Sequence, residues 1–365
     1  MARFIKLRSS FLTLLLGFVG GLLFYAAQFP MPWLIGAMVT LAVVAVCGKV
    51  SLDMPKPISN GLLGLLGLMV GSTLDPELVS NAHNWWLTLA ALPVLLILQF
   101  VLVQVLLKYM AAHESFSTRF FGGAAGGLIE MVTLAREKGG DERSVLVMHM
   151  LRLSLLVFFA PVFFSVTLQD GNAGRDLAGF TSGLLSYGWA NTGLLILCWF
   201  GGIYGGRILR LPASNIMGPF LMASIFYGAD ILNAQPPYAI MILAQIGVGA
   251  ELGSRFAGYS LKRIRKLLLP TLVLTFALTS VSAFVAWGAH IATGLSFAVL
   301  FLAYMPGGMT QMSLIALALN LNAGFVMVHL IARVFLVVLL APVCYKWMEQ
   351  FFEPSAKQNH KEEKQ

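Results

Sequence analysis

The stretch FVGGLLFYAAQFPMPWLIGAM, Phe18–Met38, decides how this chain is read, because FGGIYGGRILRLPASNIMGPF, Phe200–Phe220, repeats its punctuation 182 positions later. Phe18, Gly20, Pro30 and Gly36 fall on Phe200, Gly202, Pro212 and Gly218. Proline is tolerated in the first helical turn, so Pro30 with Pro32, and the Pro212-Ala-Ser-Asn215 stretch, read as equivalent helix starts. Further along, Gly71-Ser-Thr-Leu74 falls on Gly249-Ala-Glu-Leu252, and Gly126-Gly127-Leu-Ile-Glu130-Met131 on Gly307-Gly308-Met-Thr-Gln311-Met312. Arg152 and Ala160-Pro161 fall on Arg333 and Ala341-Pro342. An ordered series of matches at a nearly constant offset is the mark of an internal duplication.

The medium around the duplicated unit follows from composition. Of 365 residues, 58% are hydrophobic and only 11% charged, with mean hydropathy +0.82. A soluble domain uses about 25% charged residues to cover its surface, so a water-soluble fold is excluded. Apolar runs of roughly 17 to 25 residues recur throughout, the length a helix needs to cross the hydrocarbon. The runs are continuous and do not alternate, which selects α-helices over a β-barrel. The formal charge of +8 sits in short interhelical loops and not on one soluble face, which argues against a direct nucleic-acid partner. Cys47, Cys198 and Cys344 lie in separate apolar runs without CxxC spacing and read as small buried hydrophobes. Phe11–Ala27 follows Arg3, Lys6 and Arg8 as a signal peptide would, but it runs into Gln28-Phe-Pro-Met-Pro32 with no small-residue cleavage pattern and is expected to be the first spanning helix.

The periodicity predicts helices at 11–27, 33–48, 58–74, 85–108 and 144–168 in the first copy. In the second it predicts 192–206, 213–229, 236–253, 267–289 and 323–347. Each copy keeps one leftover, Gly-rich segment, 120–137 and 298–318, and these decide the topology. If they enter and return on one side, each copy crosses five times and the second is inverted. If they cross fully, the copies are parallel. With five crossings and a cytoplasmic N-terminus, 21 of the 24 lysines and arginines fall inside and Arg175 alone falls outside, with Arg152 and Arg333 in the membrane. Lys and Arg in short loops stay cytoplasmic, and the parallel arrangement would put Arg255, Lys262, Arg263, Arg265 and Lys266 outside. The expected fold is therefore an all-α polytopic membrane protein: two inverted repeats of about five transmembrane helices, each with one re-entrant or broken segment. The expected organisation is a first repeat 11–168, an external linker 169–191, a second repeat 192–347 and a disordered cytoplasmic tail 353–365. The expected location is a membrane, with both termini cytoplasmic.

Candidate solute- or ion-binding residues come from the leftover segments and from intramembrane charge. Gly126, Gly127, Gly307 and Gly308 let backbone approach backbone, and a helix starting after them would aim unpaired N–H groups into the membrane. Helices broken near the midplane form substrate sites in many inverted-repeat transporters. Tight small-residue packing is the alternative reading. Glu130 and Gln311 share one place in the two copies. A carboxylate there either faces a cavity as a proton or cation relay or lies wet at the cytoplasmic edge. Arg152 and Arg333 lie inside apolar runs, with His149 and His329 on their faces at i−3 and i−4. They could bind an anionic group or pair with Glu130; alternatively they snorkel or cap carbonyls. The histidines and Asn215 are weaker candidates, with packing and helix initiation as the plainer roles. No hydrolase elbow, Walker loop, dinucleotide fingerprint or close histidine pair stands out, so no enzyme, cofactor or metal is expected. The expected partners are the lipid bilayer and a small solute or ion.

The duplicated GG-x-x-[EQ]-M segments, the Pro-x5-Gly helix starts and the Arg-x7-Ala-Pro endings resemble the bacterial AbrB membrane-protein family with its internal duplication. The resemblance covers about residues 11 to 350. This family is distinct from the small DNA-binding transition-state regulator that shares its name. Its members carry labels such as ammonia monooxygenase and regulator of gene expression, and it is grouped with cation–proton antiporter and anion transporter relatives. The resemblance thus implies a transporter-like fold without naming a substrate. A secondary-transporter-like permease is the expectation, with a membrane-bound regulator or sensor acting indirectly on gene expression as the alternative.

Overall fold

Two left-handed residues precede the second helix of each copy: Gln28 (φ 59°) and Met31 (φ 46°) in the first, Arg210 (φ 51°) and Ala213 (φ 47°) in the second. Non-glycine residues seldom adopt this conformation, so its recurrence at an offset of 182 carries the duplication into the backbone. This computed structural model describes residues 2–48, 52, 54–74, 85–167, 188–232, 234 and 236–352. Most of the expected linker (to residue 187), Arg175 with it, and the whole of the expected tail 353–365 lie outside the described residues.

The described residues are helical, without a strand among them. In chain order the first copy gives α1 (Ala2–Ala26), α2 (Pro32–Cys47), α3 (Lys56–Gly71), α4 (Trp86–Met110), α5 (Phe116–Gly123), α6 (Leu128–Glu137) and α7 (Glu142–Thr167). The second gives α8 (Gly188–Ile196, continuing through a π-helical Leu197–Gly201 into Gly202–Ile208), α9 (Ser214–Gly228), α10 (Tyr238–Ser254), α11 (Leu261–Thr293), α12 (Phe297–Tyr304), α13 (Met309–Ala318) and α14 (Ala323–Phe352). The same order of elements occurs twice. Each leftover segment is a pair of short helices separated by an extended break, Ala124–Gly127 in the first copy and Met305–Gly308 in the second.

Among the described residues, five helices are long and apolar enough to cross a membrane: α1 from Ser9 to Ala26, α4, α7, α11 and α14. At 1.5 Å per residue a 25-residue helix covers about 37 Å, more than the roughly 30 Å of hydrocarbon. The 16-residue α2 and α3 cover only about 24 Å and depend on neighbours more than on lipid contact. Two compact units make up the fold. The first comprises Met1–Trp86, Leu156–Tyr259 and Met309–Val328. The second comprises Leu87–Leu155, Ser260–Gly308 and His329–Gln365.

Small residues set the packing inside the first unit. A Cβ added at Gly20 or Gly36 would strike the backbone oxygen of the other; one at Gly218 would strike the Gly202 oxygen and one at Gly202 the Gly218–Pro219 backbone, so α1 packs on α2 as α8 packs on α9. The third helices cross over between copies. Gly67 and Gly71 of α3 lie against the carbonyl oxygens of Ile216 and Phe220 in α9, while Gly249 and Gly253 of α10 lie against those of Leu34 and Met38 in α2. Both contacts ascend in register, so α3 runs parallel to α9 and α10 parallel to α2.

These contacts correct one match made from sequence. Gly249 answers to Gly67 and not to Gly71, and the offset of the third helices is 182, as it is for the second. Their preceding residues, Pro55 and Pro237, keep the same offset. Aligning Gly71 with Gly249 shifted the pair by one helical turn, an error a glycine repeat spaced by four residues invites because consecutive turns look alike.

In the second unit, Leu96 and Phe100 of α4, Phe116, Phe120 and Phe121 of α5, Met131 and Ala135 of α6, Val145 of α7, and Val337, Ala341 and Tyr345 of α14 form one buried cluster. Phe100 stacks on Phe120 at 5.1 Å between ring centroids, and Phe121 on Tyr345 at 5.2 Å. In a bilayer the alternative to such contacts is lipid, so close packing rather than transfer from water holds the cluster together.

Candidate functional site

A helix end leaves carbonyl oxygens without intrahelical partners, and away from water each must find another. The second unit contains two such ends, α5 at Gly123 and α12 at Tyr304. At the first, His149 of α7 bonds the Phe121 carbonyl through Nε2 at 2.8 Å, and Arg152 Nη1 donates to the Gly123 carbonyl at 2.8 Å. Arg152 Nη2 lies 3.0 Å from His149 Nδ1. The arginine can only donate, so Nδ1 accepts, Nε2 carries the proton to Phe121, and the imidazole is neutral.

At the second end, Arg333 of α14 donates from Nη1 to the Met305 carbonyl and from Nη2 to the Gly307 carbonyl. Ser282 Oγ of α11 donates to the Tyr304 carbonyl at 2.8 Å and receives Gln99 Nε2 of α4 at 3.1 Å. The Tyr304 hydroxyl donates to the Thr88 carbonyl at 2.7 Å, and Thr88 Oγ1 lies 2.9 Å from His329 Nε2. Each break is thus pinned by one arginine from the long helix that follows it. A guanidinium suits this task because its planar fork reaches two acceptors at once and stays charged. It also sits at the negative end of a short helix, where a cation is favoured.

Both arginines are buried, 2% and 3% exposed. The long helix of the second break also packs on the first: Val337, one turn beyond Arg333 on α14, lies against Gly126 in the first break, where an added Cβ would come within 2.7 Å of it. Gly127 precedes α6 without a side-chain cap, and Glu130 stands in the first turn with its carboxylate folded back over Gly127. A negative charge is favoured there by the unpaired N–H groups and the helix dipole.

The second unit therefore brings together Gly126, Gly127, Glu130, His149, Arg152, Gly307, Gly308, His329 and Arg333. Gln311, buried in the first turn of α13, and Asn215 belong to the first unit. His149 and His329, though similarly spaced from their arginines, do different things: the first orients Arg152, the second bonds Thr88. Asn215 Nδ2 donates to Asn60 Oδ1 at 2.8 Å and its Oδ1 accepts from Arg207 Nη2 at 3.1 Å. The positions equivalent to Arg207, Asn215 and Asn60 are Tyr25, Trp33 and Ile242, which pack together as an apolar group.

Sequence reading missed Gln99, Ser282, Tyr304 and Thr88, which complete the second break. An available signal was Gln99, an amide in the middle of an apolar run, where an unsatisfied polar group is costly. Gln104 and Gln245 carry the same signal, each buried with neither amide atom bonded.

Comparison with known proteins identifies relatives of this chain. One similar protein is the "Putative regulator AbrB" of Escherichia coli strain K12, 25% identical over 331 residues that cover 90% of this chain and 93% of the relative. Another is the "Uncharacterized protein YhjN" of Bacillus subtilis strain 168, 25% identical over 345 residues that cover 90% of each chain. Residues 33–349 match the family described as "Transition state regulatory protein AbrB", and a match over most of the length means that the chain belongs to the AbrB family.

Proposed function

We propose that this protein is a secondary-transporter-like permease for a small solute or ion, and not an enzyme. It sits in the bacterial inner membrane with both termini cytoplasmic and its two copies inserted in opposite orientations. The observation that carries the reading is the pair of broken helices whose ends are held by the buried Arg152 and Arg333. Backbone that leaves the helix at membrane depth is tolerated where protein buries it or where it lines a cavity, and such breaks are where inverted-repeat transporters keep their sites.

The parallel packing of α10 on α2 and of α3 on α9 supports the inversion. Second and third helices of one copy run in opposite senses across a membrane. A third helix parallel to the other copy's second helix is what opposed copies require; copies inserted alike would make that pair antiparallel. The positive-inside count agrees with this arrangement.

A membrane-bound regulator or sensor is the second reading, favoured by the name of the Escherichia coli relative. Uptake of candidate solutes into proteoliposomes, under imposed proton, sodium and solute gradients, separates the two. Permease activity predicts flux in the wild type that falls by about tenfold or more in Glu130→Gln or Arg333→Ala, the scale of losing one or two kcal/mol at a site. Wild-type flux in both variants would remove the site assignment. Absence of flux under every gradient, with a partner captured on cytoplasmic loops, would favour the regulator.

A further inference from the structure

We propose that Arg152 and Arg333 together form a binding site for a small free anion, of the class of chloride or a short carboxylate. This names the substrate or co-substrate class of the permease and rests on that reading. The first argument is charge balance. Two guanidinium groups are buried in one unit, Arg333 standing one turn from the Val337 that packs against the break Arg152 pins, and neither makes an ion pair with any carboxylate of the described residues. No Asp or Glu among the described residues of that unit is buried. Glu130 does not supply the missing charge, since its carboxylate is folded over Gly127. His149 is neutral by its hydrogen bonds, so it neither adds a cation nor cancels one.

The second argument is the donor count. A guanidinium carries five N–H donors. Arg152 uses one on Gly123 and one on His149, Arg333 one each on Met305 and Gly307. The Nε–H of both is buried with no acceptor. A buried cation is tolerated where a counter-charge meets it, and unpaired N–H groups on two buried cations of one unit are what an anion of one or a few atoms satisfies. The Gly123 carbonyl and the His149 imidazole hold the Arg152 fork, and two carbonyl oxygens hold that of Arg333, so the free N–H groups are fixed before the anion arrives.

The test uses the full chain in uncharged detergent. Thermal unfolding followed by intrinsic fluorescence is recorded with sodium chloride, sodium acetate and sodium gluconate at matched ionic strength, and binding of radioactive chloride is measured directly. A saturable rise in the unfolding midpoint with chloride or acetate but not gluconate, and chloride binding competed by acetate, are expected. Arg333→Lys keeps the charge but loses the fork, and is expected to weaken binding by about tenfold or more; Arg152→Lys serves if that variant does not fold. No saturable effect of chloride or acetate in the wild type, or wild-type affinity in the folded Lys variants, would overturn the proposal. Stabilisation by anionic lipid alone would overturn it too, since the proposal is a free anion and not a headgroup. Binding without flux would refute the permease and leave this site standing, whereas flux without binding would do the reverse.

Discussion

Substituting alanine at Gly249 and, separately, at Gly67 tests the packing that joins the two copies. At Gly249 an added Cβ falls on the Leu34 carbonyl oxygen and comes 3.0 Å from the Ala37 Cβ. At Gly67 it falls on the Ile216 carbonyl oxygen and comes 3.2 Å from the Phe220 nitrogen. The obstacle in each case is helix backbone, which cannot rotate aside as the end of a side chain can. Overpacking of this kind costs about 1–3 kcal/mol, and removing a mid-helix glycine returns up to about 1 kcal/mol of helix propensity. A net loss of about 1–2 kcal/mol is expected for each variant, and similar in the two because the positions are equivalent. Gly288 of α11 has no heavy atom within 4 Å of such a Cβ, so Gly288→Ala should be neutral or stabilising by up to about 1 kcal/mol. Unfolding by SDS in mixed micelles measures the series, with the half-life at fixed temperature as the readout if unfolding proves irreversible. Gly249→Ala as harmless as Gly288→Ala would refute the close approach of α10 to α2. A severe effect at Gly249 with none at Gly67 would refute their equivalence.

In a background lacking Cys47, Cys198 and Cys344, Gly17→Cys with Ala250→Cys should form a disulfide on mild oxidation. The Cβ positions are 3.7 Å apart, inside the range of about 3.5–4.5 Å that a disulfide accepts; equal yield from Gly17→Cys with Ser254→Cys, one turn further on, would count against the α1–α10 register. Reporter fusions at Gly139 and Asn320, the left-handed residues that follow α6 and α13, should report the cytoplasm and the exterior respectively. Signals from the same side would end the proposed inversion while leaving the duplication intact.

The duplication, the helix count and the two breaks were legible because each rests on a local signal: apolar length, proline at helix starts, paired glycines. Predicted helices fall within about five residues of those observed, except that α1 begins nine residues earlier, at Ala2, and α11 six residues earlier, at Leu261, and the segments 120–137 and 298–318 resolve into α5 with α6 and α12 with α13. The register of α3 against α10 was not legible. Glycines four apart mark a packing face but not which turn meets which neighbour, and only the partners Leu34 and Ile216 settle it. The arginines were legible as costly intramembrane charges, but their acceptors are backbone carbonyls, which every residue carries. No residue pattern could point to Gly123, Met305 or Gly307 as partners. The exchange of His329 to Thr88 was hidden for a related reason: its spacing from Arg333 looks like that of His149 from Arg152, yet one step around a helix turns a side chain by about 100°.

Where the copies have diverged is as informative as where they agree. Gly20 with Gly36, and Gly202 with Gly218, keep the same contact because its demand, backbone against backbone, is the same in any medium. At the helix starts beside them the same scaffold holds two chemistries. Arg207, Asn215 and Asn60 form a hydrogen-bonded group with Lys56 one turn away on α3, while Tyr25, Trp33 and Ile242 pack as an apolar group. Had the copies been inserted alike, these equivalent ends would have met the same side of the membrane, and nothing physical would have driven one to basic and amide residues and the other to aromatic ones. Under the proposed inversion they meet opposite sides. The basic group then lies at the cytoplasmic edge, where lysine and arginine are retained, and the aromatic group toward the exterior, where charge is scarce and aromatic rings suit the interface. Glu130 and Gln311 follow the same logic at the breaks. Under the proposed inversion their helices would enter from opposite sides, so equivalence of backbone would not bring equivalence of charge, and the proposed permease would carry an ionisable group at one of these two equivalent positions and a neutral amide at the other.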